Sequence, residues 1–138
     1  MRIHLENTGF QKYVGRNHLG QEIQLSGDKS AVGPMESVLM ALAGCSCVDV
    51  EIILQKTRQK LVKVEVNVEG TRRKDEIPEV FTEIHAHYIL HGEIKESKAK
   101  QAIDLAVDKY CSVATMLHKS VNITHSFEII EVKSEKKD

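Results

Sequence analysis

Cys45 and Cys47 in AGCSCVDV and Cys111 in KYCSVATML are the residues of this sequence best suited to covalent chemistry, because a thiolate is a nucleophile that oxidises and is reduced again. In the plainest reading all three are small buried hydrophobes. Two features argue for more. Cys45 follows Ala43 and Gly44, small residues that allow another element or a ligand to come close. Cys111 stands where a helix begins, and the free amide N–H groups there favour negative charge on sulfur. On one helix Cys45 and Cys47 point about 200° apart, at about 100° per residue, so they can neither bridge nor chelate one metal. Cys47 reads as packing.

Asp49 follows Cys45 by four residues and shares its face, and a carboxylate there calls for a nearby cation. Arg16, in the glycine-rich N-terminal segment, is one candidate, and Arg72 and Arg73 in RRKDE are others, although such a run is by default a solvated charge cluster. Glu36 precedes Cys45 by nine residues, which puts it on roughly the opposite side of a helix, where a first-turn carboxylate suits the dipole. His85 and His87 share a strand face with His91 and could hold zinc or copper. A solvated sheet face would show the same alternation, and a metal site also needs a third ligand and a second shell. The other histidines are scattered. No H-E-x-x-H, C-x-x-C, G-x-S-x-G, Walker or G-x-G-x-x-G pattern is present, so neither a metal nor a cofactor is expected.

These residues must be positioned by a chain of 138 residues, a length that fits one domain, residues 1–138. With 19 Lys plus Arg against 20 Asp plus Glu, the chain has no clustered positive charge for nucleic acid or an anionic membrane. An odd count of three cysteines argues against a secreted disulfide scaffold, and the N-terminus shows no leader, so a cytoplasmic location is expected. The longest apolar run, Val38 to Val48, has 11 residues, short of the about 20 that span a bilayer.

Residues 1–32 read as three short strands around Ile3 and Leu5, Phe10 and Tyr13, and Ile23 and Leu25. Pro34 then opens a helix running to Arg58, apolar on every face and therefore buried all round. At about 37 Å it would cross nearly the whole of a globule whose radius of gyration is about 14 Å, which points to a second chain for part of its cover. Val62, Val64, Val66 and Val68 alternate as a strand, and Val80, Thr82, Ile84, Ala86, Tyr88 and Leu90 line one face of another. Ser97 suits the N-cap of an amphipathic helix to Lys109 with Ala99, Ala102, Ile103, Ala106 and Val107 inward. A second short helix after Cys111 and a strand through Ile123, Phe127, Ile129 and Ile130 follow, then the solvated tail KSEKKD, residues 133–138. The order is α+β.

GPMESVLMALAGCSCVDVEIILQK, VEGTRRKDEIPEVFTEIHAHYILHG and DKYCSVATMLHKSVNITHSFEII together resemble the OsmC-like family, which includes the organic hydroperoxide resistance proteins, and most closely its YhfA-like branch. The resemblance covers about Gly33 to Ile130. It implies an intertwined homodimer of β-β-β-α-β-β-α-α-β subunits with a long buried central helix. It also implies thiol-dependent reduction of small organic hydroperoxides, an activity tied to oxidative stress, with aliphatic walls favouring them over hydrogen peroxide. Cys45 matches the family's attacking thiol and Cys111 its resolving thiol, with an external dithiol as reductant. An Arg activates the attacking thiol and a Glu positions that Arg. Arg16 is the candidate for the first role. The family's Glu position, ten residues before the thiol, is Met35 here, and Glu36 is its neighbour. Two other readings remain beside peroxidase: a non-catalytic dimeric protein that binds a ligand or senses redox state, and a structural dimer with inert thiols.

Overall fold

The computed structural model describes residues 1–133. Along the chain come β1 (Ile3–Gly9), β2 (Lys12–Asn17), β3 (Glu22–Ser26), α1 (Pro34–Lys56), β4 (Lys60–Arg72), β5 (Phe81–Glu93), α2 (Glu96–Leu105), a π-helical turn (Ala106–Tyr110), α3 (Ser112–Leu117) and β6 (Asn122–Ile130). The α+β order is the expected one. All but the first residue of the KSEKKD tail lies outside the described residues. Two compact units divide the chain, residues 1–38 and residues 39 onward, with the boundary just inside α1.

In the first unit β2 is the middle strand of an antiparallel meander, β1-β2-β3. The Ser26 hydroxyl donates to the Ala31 carbonyl at 3.2 Å and accepts from the Ala31 N–H at 2.9 Å, closing the loop that leads toward the helix. Helix α1 starts at Pro34 because Glu36 reaches back to accept the Gly33 N–H at 2.9 Å, the return contact of a capping box.

The second unit is built on the sheet β4-β5-β6, with β4 antiparallel and β6 parallel to β5. Ile84, Ala86, Tyr88 and Leu90 on the inward face of β5 are at most 1% exposed. Ala99, Ala102, Ile103, Ala106 and Val107, the predicted inner face of α2 and its continuation, are fully buried as well. Within one protomer the burial of α1 follows a single stripe, Leu42, Ser46, Val50 and Leu54, while Met40, Val48 and Ile52 stay 59%, 56% and 42% exposed. By length and composition α1 could cross a bilayer, but this stripe ties it to the β5 side of the unit through Ser46 and Tyr88.

Three local expectations are corrected. A register shift between Leu61 and Lys63 turns Val62 outward, 58% exposed, and Leu61 takes its inward place. A second shift at Thr71 and Arg72 turns Thr82 outward and buries Phe81 instead. Gly70 makes room for that ring, since a Cβ there would lie 2.5 Å from it. Finally, Lys95, not Ser97, precedes α2, and no side chain caps that helix.

Leu54→Ala is expected to cost about 2–5 kcal/mol, the usual range for a fully buried leucine, whereas Val62→Ala should stay within about 0.5 kcal/mol. Urea unfolding of the two variants checks this, and equal losses would restore the simple alternation of β4.

Candidate active site

The π-helical turn decides where Cys111 sits. Its last hydrogen bond runs from the Cys111 N–H to the Ala106 carbonyl at 2.7 Å, one residue wider than an α-helical bond. Cys111 then adopts an extended backbone (φ −68°, ψ 113°) and becomes the N-cap of α3, its sulfur accepting the Ala114 N–H at 3.4 Å. Serine or aspartate is the usual residue in that place. Cys111 is fully buried.

Cys45, on α1, is near enough for its sulfur to raise the Cys111 thiol. Both thiols are free. Burial pushes the Cys111 thiol up to about 11 and Cys45 adds to the rise, while the Ala114 N–H pulls the other way. The helix-start amide therefore has the expected sign, but loss of solvent outweighs it. Cys47, on the other flank of the α1 stripe, is also raised to about 11, by burial and then by Glu51.

Between the two α1 cysteines lies a feature that the sequence reading missed. The Tyr88 hydroxyl donates to Ser46 Oγ at 2.6 Å, and Ser46 donates to the Ala43 carbonyl at 3.0 Å. Both side chains are fully buried. Burial pushes the Tyr88 phenol up to about 12, with Cys47 and Cys111 adding to the rise. The available signal was Tyr88 itself, a hydroxyl on the otherwise apolar inward face of β5.

The remaining candidates have partners of their own. In the first unit Arg16 donates to Glu22 from Nε at 2.8 Å and to Glu6 from Nη1 at 3.1 Å, which raises its pKa further. Glu36 caps α1 as described. In the β4–β5 connection Arg72 donates to the Glu79 carbonyl (2.7 Å), and Arg73 to the Pro78 carbonyl (2.8 Å) and Glu76 (2.8 Å). On the outer sheet face His85 bonds Thr124 (2.7 Å) and Ser126 (2.9 Å), and His87 bonds Ser126 (2.7 Å) and Glu128 (3.0 Å). Each of these rings uses both nitrogens, leaving neither for a metal. Asp104, Asp108 and His125 bring ligand atoms within 4.8 Å of one another. Lys100 Nζ, 2.5 Å from Asp104, already supplies a cation there.

A long capped helix and a three-stranded sheet with a parallel closing strand define the protein's class. The chain belongs to the family of OsmC-like proteins, whose model matches residues 27–126. It is 48% identical over 122 residues to Protein YhfA of Escherichia coli strain K12, covering 86% of this chain and 90% of that relative. The crystal structure of a hypothetical protein from Aquifex aeolicus VF5 matches with a TM-score of 0.87 at 31% identity, over 95% of this chain and 96% of that one. An organic hydroperoxide resistance protein OsmC from Legionella pneumophila has a TM-score of 0.71 at 14% identity, covering 93% and 97%, a likeness of fold.

An acid whose pKa rises on folding contributes stability that is complete below its ordinary pKa and is lost as pH climbs through the folded value. Cys47 and Cys111 move from 9.0 to about 11, and Tyr88 from 10.0 to about 12. Stability should therefore be flat to about pH 8 and fall between about pH 9 and 12, by up to about 1.4 kcal/mol per pH unit for each group. Urea unfolding at pH 8 and 10.5 measures the fall. Cys47→Ala combined with Cys111→Ser should make it shallower, and an unchanged slope would contradict the assignment.

Proposed function

We propose that this protein is a thiol-dependent peroxidase that reduces organic hydroperoxides through Cys45 and Cys111. The observation that carries this reading is that Cys45 on α1 lies near enough to Cys111, at the start of α3, to raise its thiol. Family membership and the fold shared with organic hydroperoxide resistance proteins support it. In the first step the Cys45 thiolate attacks the terminal peroxide oxygen, the O–O bond breaks, and the departing alkoxide takes a proton to leave as alcohol. Cys45 is then a sulfenic acid. The Cys111 sulfur next attacks the Cys45 sulfur, forming a disulfide and releasing water. An external dithiol returns both thiols and becomes a disulfide itself.

The raised pKa of Cys111 suits the second role, because a protonated, solvent-free thiol does not compete for peroxide and waits for a sulfenic acid beside it. Arg16, as the activating cation, would have to be shared with Glu6 and Glu22, and Glu36 would have to add that role to its cap. The same reading takes the protein as a cytoplasmic homodimer. Its supporting observation is the apolar face that α1 leaves open at Met40, Val48 and Ile52.

With a dithiol present, the wild type is expected to consume cumene hydroperoxide at least about tenfold above background, and Cys45→Ser to fall to background. Cys111→Ser keeps an N-cap residue and should accumulate the Cys45 sulfenic acid, seen by dimedone labelling. Equal rates for wild type and Cys45→Ser would remove the peroxidase reading and leave redox sensing, favoured by the same thiol pair, as the alternative.

For the dimer, sedimentation equilibrium should give twice the protomer mass. Val48→Lys should shift the population toward monomer, since a lysine would be forced into an apolar contact. A monomeric wild type would count against it.

A further inference from the structure

We infer that the Ser46–Tyr88 hydrogen bond is a positioning device that presents Cys45, and not Cys47, to Cys111. The inference rests on the pairing of Cys45 with Cys111 proposed above, and goes beyond it by naming what selects one of two neighbouring thiols.

Ser46 lies at the centre of the buried stripe of α1, with Leu42 on one side and Val50 and Leu54 on the other. Cys45 and Cys47 are its immediate neighbours, so each flanks the stripe by about 100° and differs from it by about 1.5 Å along the axis. The leucine and valine contacts are non-directional and tolerate a small rotation or slide of the helix. A hydrogen bond of 2.6 Å between two fully buried hydroxyls does not. A slip of one residue toward either end would put a cysteine under the Tyr88 phenol. The hydroxyl would then lie in hydrocarbon without its partner and without water to replace it. Tyr88 belongs to the middle of β5, paired with Val66 of β4 and Phe127 of β6, so the anchor is itself fixed on both sides. Cys47 and Cys111 both lie near enough to the phenol to raise it.

Diamide provides a test that needs no peroxide chemistry. It accepts two electrons and two protons from a pair of thiols and becomes the hydrazine, leaving a disulfide. Bridging is followed by quenching, digestion and mass spectrometry on the full chain. The wild type is expected to give the Cys45–Cys111 bridge alone. In Tyr88→Phe and in Ser46→Ala its formation should slow by about tenfold, and bridges containing Cys47 should appear. The double variant should be no worse than either single one, and Ser46→Thr, which keeps the hydroxyl, should restore the wild-type pairing. Val50→Ala in the same stripe lowers stability without touching the bond, and should leave both rate and pairing unchanged.

A folded Tyr88→Phe that bridges Cys45 to Cys111 at the wild-type rate, with no Cys47 product, would overturn the inference. So would Val50→Ala matching its effect, because that would mean general loosening of the core. A wild type that forms no bridge with diamide would overturn it together with the thiol pairing. If the wild type bridges normally but does not consume cumene hydroperoxide, the peroxidase reading fails alone and the positioning role stands.

Discussion

A pair of hydroxyls set in hydrocarbon governs the second unit, because Ser46 and Tyr88 satisfy one another where no water can reach. A buried hydroxyl without a partner costs on the order of 1–3 kcal/mol, so the bond resists any packing of α1 that would break it. Apolar side chains supply most of the burial energy of a core but tolerate many small rotations. One directional bond among them chooses a single arrangement. With α1 fixed on β5 in this way, the flanks of its buried stripe are fixed as well, and those flanks carry the two cysteines.

The two cysteines that meet do so in unlike circumstances. Cys111 is fully buried at the junction of a π-helical turn and a short helix, and its sulfur does the work of a capping oxygen. Burial holds it protonated at neutral pH despite the amide it accepts. Cys45 comes from a long helix whose flank is half-open in the single protomer. The two thiols thus differ in their access to solvent, Cys45 half-buried and Cys111 fully buried. Met35 stands at the family's glutamate position, Glu36 closes the helix start, and Arg16 is bracketed by two carboxylates of its own sheet.

Much of the architecture was legible in the amino-acid order. Pro34 with Glu36, the alternation along β4 and β5, and the inward alanines of α2 all lie where local periodicity puts them. Period and capping chemistry are properties of neighbouring residues, so they survive without tertiary information. The misses have equally physical causes. Val62 and Thr82 sit beside register shifts, and a bulge depends on what the partner strand does. Ser97 has the right type for a cap, but the chain enters the helix two residues earlier, from an extended Lys95.

Residue types and spacing by themselves determined that thiols were the chemistry on offer, that Cys45 and Cys47 diverge on one helix, and that the chain is an α+β protein of OsmC-like pattern. Those are statements about covalent identity and local periodicity. Only the tertiary structure decided that Cys111 is buried and raised in pKa with Cys45 contributing, that Tyr88 reaches Ser46, and that Arg16 is engaged by Glu6 and Glu22. Each of these depends on distances between residues far apart in the chain and on the exclusion of water between them. Neither quantity exists until the elements have packed.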